Sequence, residues 1–179
     1  MICAPANAFA GAIAPSAVST LSVSTLPLST LPLSTLPGLQ GVFTGTRPDN
    51  LGVNEGHLAN CPATPNCVVS QGADADHAIP PIFYEGDRAI ARKNLIDILG
   101  VVPRTQIMEQ TDDYVLAQSE SRLMGFVDDT EFYFPADESV IQVRAAARMG
   151  ESDLGVNRRR IEQIRLAFND LVKRTAVQP

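Results

Sequence analysis

At 179 residues the chain allows one domain of ordinary size, and an uncharged head narrows the folded part further. Its 14 basic and 20 acidic side chains all lie from Arg47 onward, and the net charge of −6 argues against the concentrated basic face that a nucleic-acid partner needs. No apolar run reaches the roughly 18 residues of a transmembrane helix.

The first ten residues, MICAPANAFA, end in Ala8-Phe9-Ala10, a small-x-small pattern of the kind signal peptidase cuts after, with no basic residue or long apolar run ahead of it. They read as the tail of a signal peptide whose front is missing, so the protein is expected to be exported, with its mature start near Gly11. An ordinary Ala-rich irregular start is the alternative. Residues 11–46 read as a low-complexity linker. Within them STLSVSTLPLSTLPLSTLPG, residues 19–38, repeats Ser-Thr-Leu-x-x four times, with Pro27, Pro32 and Pro37 in step. Prolines at that period remove donors and forbid a continuous helix. Four units supply only about one coil of a pentapeptide solenoid, too few neighbours to stack. An extended Ser/Thr/Pro segment is therefore expected.

Residues 47–179 carry the fold, expected as a single α+β domain. From 47 to 84 the chain is rich in Gly, Pro, Asn and Asp, shows no sustained period, and reads as irregular, pinned by Cys61 and Cys67 in NCPATPNC. A disulfide across this short, proline-stiffened loop suits an oxidising compartment. A zinc site completed by His57 and His77 is the rival, although neither histidine stands at metal spacing, and free thiols are the third option. No metal and no other cofactor is expected.

Asp87 is a suitable N-cap for a helix that places Ala91, Leu95, Ile98 and Val102 on one stripe with Ile90 and Leu99 beside it. Gly100 fits its C-terminal cap, and Pro103 stops it. Four strands follow, at 104–110, 114–120, 123–134 and 140–148, separated by turn-rich breaks. They are expected to form an antiparallel meander. In the last strand Ile141, Val143, Ala145 and Ala147 alternate with Gln142, Arg144, Ala146 and Arg148, so one face is apolar and the other carries the arginines. A final helix from about 156 to 174 buries Ile161, Ile164, Phe168, Leu171 and Val172. The expected domain is this four-stranded meander flanked by an N-terminal and a C-terminal helix.

The candidate polar site gathers Asp128, Asp129 and Glu131 of the third strand with Arg144 and Arg148 of the fourth, where cross-strand neighbours meet directly or diagonally. Ser152 and Asp153 are candidate caps for the last helix, whose first turn holds Asn157 and Arg158-Arg159-Arg160. Positive side chains there oppose the helix dipole. Asp153, the strand carboxylates or an external anion should compensate them. The group is thus either an internal salt-bridge network or a receptor for a small anionic ligand.

CPATPNC, GFVDDTEFYF and VIQVRAAARMGESDLGVNRRRIEQIR resemble the DUF1499 family, a domain of unknown function found in bacteria and in cyanobacterial and chloroplast proteins, over about residues 58–172. The residues that match are Cys61, Pro62, Pro65, Asn66, Cys67, Asp128, Glu131, Arg144, Arg148, Ser152, Asp153, Asn157 and Arg158. Members typically read Arg-Ser-x-Ser-Arg where this chain has Arg144-Ala145-Ala146-Ala147-Arg148, so a nucleophilic role for that strand has no support here. The resemblance implies a fold boundary and no activity.

The first functional expectation is a non-catalytic module of the periplasm or thylakoid lumen that docks on a protein complex or holds a small anionic ligand. The folded part has no Ser-His-Asp set, no glycine-rich phosphate loop and no metal-spaced cluster. The alternative is a hydrolase using Asp128 or Glu131 as general base, with Arg144 and Arg158 stabilising an oxyanion.

Overall fold

The computed structural model describes residues 43–177. The expected signal-peptide remnant, the repeat and the linker as far as residue 42 lie outside the described residues. The chain divides after Pro32, and all described residues fall in the second of its two units, Leu33–Pro179. The fold is α+β, with a six-stranded, antiparallel-paired sheet and two helices. Among the described residues no helix is long and apolar enough to cross a membrane.

Helix α1 spans Arg88–Leu99. The Asp87 carboxylate accepts from the amides of Ala89 and Ile90 at 2.7 and 3.1 Å, satisfying two of the donors that a helix start leaves open. Ala91, Leu95, Ile98 and Leu99 are its buried side chains. Two positions of the expected stripe differ. Ile90 is turned to solvent. Val102 lies past the helix end, although it still packs against the core. Gly100 caps the helix in right-handed geometry, and the turn into the sheet is made instead by Arg104, at φ 54°.

Strands β3 (Thr105–Gln110), β4 (Tyr114–Glu120), β5 (Val127–Tyr133) and β6 (Val140–Ala147) each pair antiparallel with the next. The sheet is nevertheless larger than four strands, because the segment expected to be irregular contributes two more. β1 (Cys67–Val69) and β2 (Ile82–Phe83) both pair with the outer side of β6, at Ala146 to Arg144 and at Ile141 to Val140. The third expected strand is also shorter than 123–134. Ser121 and Phe126 close a turn, with the Ser121 amide donating to the Phe126 carbonyl at 2.8 Å, so pairing with β6 begins only after it. β3 carries a register shift between Ile107 and Glu109 and is mostly exposed.

Helix α2 spans Val156–Val177 and buries Ile161, Ile164 and Phe168, with Leu171 and Val172 packed against the same core. Together with α1 it covers the face of the sheet that bears Val115, Ala117, Phe132, Ile141, Val143 and Ala145. Burial of each large side chain there contributes about 1.5–3 kcal/mol. The opposite face is covered too, by the segment that carries Leu51, Val53, Leu58 and Ala73, over Val69, Tyr114, Leu116 and Tyr133. That cover decides the environment of the arginines. The polar face of β6 is interior, and Arg144 is only 3% exposed.

Candidate functional site

Strand alternation divides the candidate residues before any chemistry is considered. On β5, Asp129 and Glu131 point to one face and Asp128 to the other. Their partners follow the same division.

On the loop-covered face Glu131 stands directly opposite Arg144, and the Arg144 Nη1 donates to Glu131 Oε2 at 2.8 Å. The second carboxylate oxygen accepts from Tyr114 Oη at 2.9 Å and from the Gly52 amide at 2.7 Å. Glu131 has no exposed surface, so its charge is held entirely by these three donors. Burial, and after it the neighbouring Glu131 charge, pushes the Tyr114 hydroxyl far above its ordinary range, which keeps it a donor. The Arg144 Nε is buried without a protein acceptor. Farther along the same face Arg148 grips Asp129 with two parallel bonds of 2.7 Å, and its Nη2 also donates to Gln118 at 3.1 Å. The bond to Asp129 raises the affinity of the Arg148 guanidinium for its proton.

On the helix-covered face Asp128 pairs with Arg160 of α2, Nη2 to Oδ2 at 2.8 Å. Burial pushes the Asp128 carboxyl up, and Arg160 opposes the rise. Arg160 also donates to Asn157 Oδ1 at 2.9 Å, and the Asn157 amide donates to the Asn66 carbonyl at 3.1 Å. Asn66 in turn accepts from the Ala147 amide and donates through its side chain to the Gly150 carbonyl. One chain of polar contacts thus ties α2 to β6 and to the cysteine loop.

Asp153 and Ser152 act locally. Asp153 accepts from the amides of Gly155 and Asn157 at 2.9 and 2.6 Å, and Ser152 accepts from the Leu154 amide at 3.2 Å. They cap the helix backbone rather than offset the arginine run. Arg158 donates to the carbonyls of Ala78 and Asp76 at 2.7 and 2.8 Å. Seven residues on, and so on the same helical side, Arg165 donates to the carbonyls of Pro80 and Pro81. These two arginines pin the approach to β2.

Cys61 and Cys67 form a disulfide, with Cα atoms 5.6 Å apart. Both sulfurs are consumed in it, which removes the zinc and free-thiol options. His77 donates to Asp74 through Nδ1 at 2.8 Å and lies 3.2 Å from the Thr64 carbonyl through Nε2. Its two ring nitrogens therefore face acceptors only, which favours the imidazolium. Among the described residues no group of three or more His, Cys, Asp or Glu is placed to hold a metal ion.

The structure therefore separates the nine candidates: Glu131–Arg144 and Asp129–Arg148 pair on one face, Asp128 and Asn157 meet Arg160, which is not among the nine, on the other, Ser152 and Asp153 form a cap, and Arg158 is a strap. Reasoning from sequence missed Tyr114, Gly52, Gln118 and Arg165, and read Arg160 only as one of a run. For Arg160 a signal existed, since it immediately precedes the buried Ile161 on the helix. Among the hollows of the described residues are two with polar linings. One, of about 600 Å³, lies among Asn50, Asn54, His57 and Asn60. The other, of about 400 Å³, is lined by Arg104, Arg122, Arg159 and Arg160, with Ser119 and Glu120.

Fold and contacts together define an α+β module with an ionic layer closed inside its sheet. The chain belongs to the family described as "Protein of unknown function (DUF1499)", whose model matches residues 57–168. The searches of the curated proteins and of the solved structures returned no match.

Proposed function

We propose that this chain is an exported, non-catalytic module of the periplasm or thylakoid lumen that holds a small anionic ligand or docks on a protein complex. One observation carries the non-catalytic reading. Glu131, the best-placed general base for the hydrolase alternative, has no exposed surface and three donors already in place. A base must reach the proton it removes. Asp129 and Asp128 are likewise buried and paired. Arg144 and Arg158, the expected oxyanion donors, are also occupied separately, one by Glu131 and the other by backbone carbonyls.

Export is supported by the Ala8-Phe9-Ala10 pattern and by the disulfide, which suits an oxidising compartment. Native mass spectrometry of protein purified from its source tests the reading as a whole. The expected result is a mature chain beginning near Gly11, with two cysteines bridged and a small anion or a partner protein retained. A reduced chain retaining Met1, with neither, would refute it.

A further inference from the structure

We propose that the hollow between the start of β3, the β4–β5 turn and the first turns of α2 binds a phosphoryl group through Arg104, Arg122 and Arg159. The inference rests on the anion-holding reading above and gives it a place and a chemistry.

Four guanidinium groups line this hollow, and they arrive from three separate stretches of chain. Against them stand Glu120 in the lining and Asp128, which is committed to Arg160. Such an excess of positive charge is unexpected in a chain of net charge −6 unless the fold uses it. The other arginines differ from Arg160. Arg104 spends only its Nε, on the Glu120 carbonyl at 3.0 Å, and Arg159 spends only Nη1, on the Leu154 carbonyl at 2.8 Å. Among the described residues Arg122 has no hydrogen-bond or ion-pair partner. The remaining guanidinium donors are therefore free to take an acceptor.

The number of directions selects the acceptor. A carboxylate offers two oxygens in one plane and is satisfied by a single guanidinium fork. A phosphoryl group carries about −1.5 to −2 charge and presents three oxygens, enough to engage donors from three sides at once. The volume, about 400 Å³, falls within the range of small-ligand sites. Val102, Pro103 and Val156 supply an apolar wall.

The phosphoryl group can belong to a soluble molecule or to a lipid headgroup, and the neighbourhood of the hollow makes the second source worth a separate arm. Leu123 and Met124 follow Arg122 in its turn, and Val101 shares the loop of Arg104. All three are exposed, as is Leu154, 84% exposed, whose carbonyl holds Arg159.

The test titrates the full chain with inorganic pyrophosphate, followed by backbone amide NMR shifts, and in parallel sediments it with vesicles of phosphatidylcholine with or without phosphatidic acid, whose headgroup is a phosphomonoester. Arg122→Ala is the principal variant, since it breaks no hydrogen bond or ion pair among the described residues. Arg159→Ala is the second, and Arg122→Lys asks whether a point charge suffices. Binding of either phosphoryl probe that Arg122→Ala and Arg159→Ala each weaken by about tenfold or more, with unfolding midpoints unchanged, is the expected result. Pyrophosphate binding alone assigns a soluble source. Sedimentation with vesicles containing phosphatidic acid and not with phosphatidylcholine alone, reduced also by Leu123→Ala, assigns a lipid one. If neither probe binds at millimolar concentration, or if both variants bind as the wild type does, the inference is overturned. Should mass spectrometry still find another anion retained, the broader reading would survive that failure.

Discussion

Glu131 and Arg144 face each other directly across β5 and β6, Nη1 to Oε2 at 2.8 Å, inside a sheet covered on both faces. Removing the arginine leaves a buried carboxylate without its cationic partner. Arg144→Ala is expected to destabilise the fold by about 3–5 kcal/mol, the cost of an uncompensated buried charge. Denaturant unfolding measures it, and an unchanged midpoint would show that the pair contributes nothing to the fold.

His77 makes stability depend on pH. Its hydrogen bond to Asp74 raises its affinity for the proton above the ordinary value of 6.5, against the opposing effect of burial. A raised histidine contributes stability that is complete below its unfolded value and is lost as pH rises through the folded one. The same bond lowers Asp74 below 3.8, so that contribution is lost as pH falls through the lowered value. The chain should therefore be less stable at pH 9 than at pH 6, and His77→Gln should flatten the difference. Equal midpoints for the wild type at the two pH values would contradict the assignment.

Reduction of the Cys61–Cys67 bridge should cost about 2 kcal/mol, because the loop it closes is short. The effect should also be local. Cys67 begins β1, and the preceding Asn66 holds the Ala147 amide. Hydrogen exchange at Ala147 should accelerate on reduction, while exchange in the middle of β4 should not. Uniform acceleration throughout the sheet would mean that the bridge stabilises the domain only globally.

Gly45 has φ of +65°, and a Cβ placed there would lie 2.8 Å from Arg148 Cβ and Met149 Cγ. Gly45→Ala should therefore destabilise by about 2 kcal/mol through left-handed strain and overpacking. Calorimetric melting decides the matter. A neutral substitution would show that residues around Gly45 lie loosely on the domain.

What could be read in the sequence depended on whether a feature was long enough to show a period. The two helices and β3 to β6 announce themselves by apolar spacing and by the turn residues between them. β2 has two residues and β1 three, too short for alternation to register, so both vanish into a Gly- and Pro-rich background. The pairing of Glu131 with Arg144 was within reach of the hairpin reading, but Tyr114 and Gly52 were not. Tyr114 requires the register of a third strand, and Gly52 comes from a segment with no pattern of its own. The same segment hides the arginine face from water. Alternation reported two chemically different faces there, but it carried no sign that the chain covers the arginine face.

The two edges of the sheet bear on how copies of this protein avoid one another. Pairing beyond β6 is split between β1 and β2, a three-residue piece and a two-residue piece. Neither offers a long enough row of amides to seed growth. At the far side β3 is six residues long and exposed, the kind of border on which foreign strands add. Its register breaks between Ile107 and Glu109, which interrupts the template midway, and the charged Glu109 follows the break. Excising Met108 would straighten that border, and the exposed strand would become a seed for self-assembly.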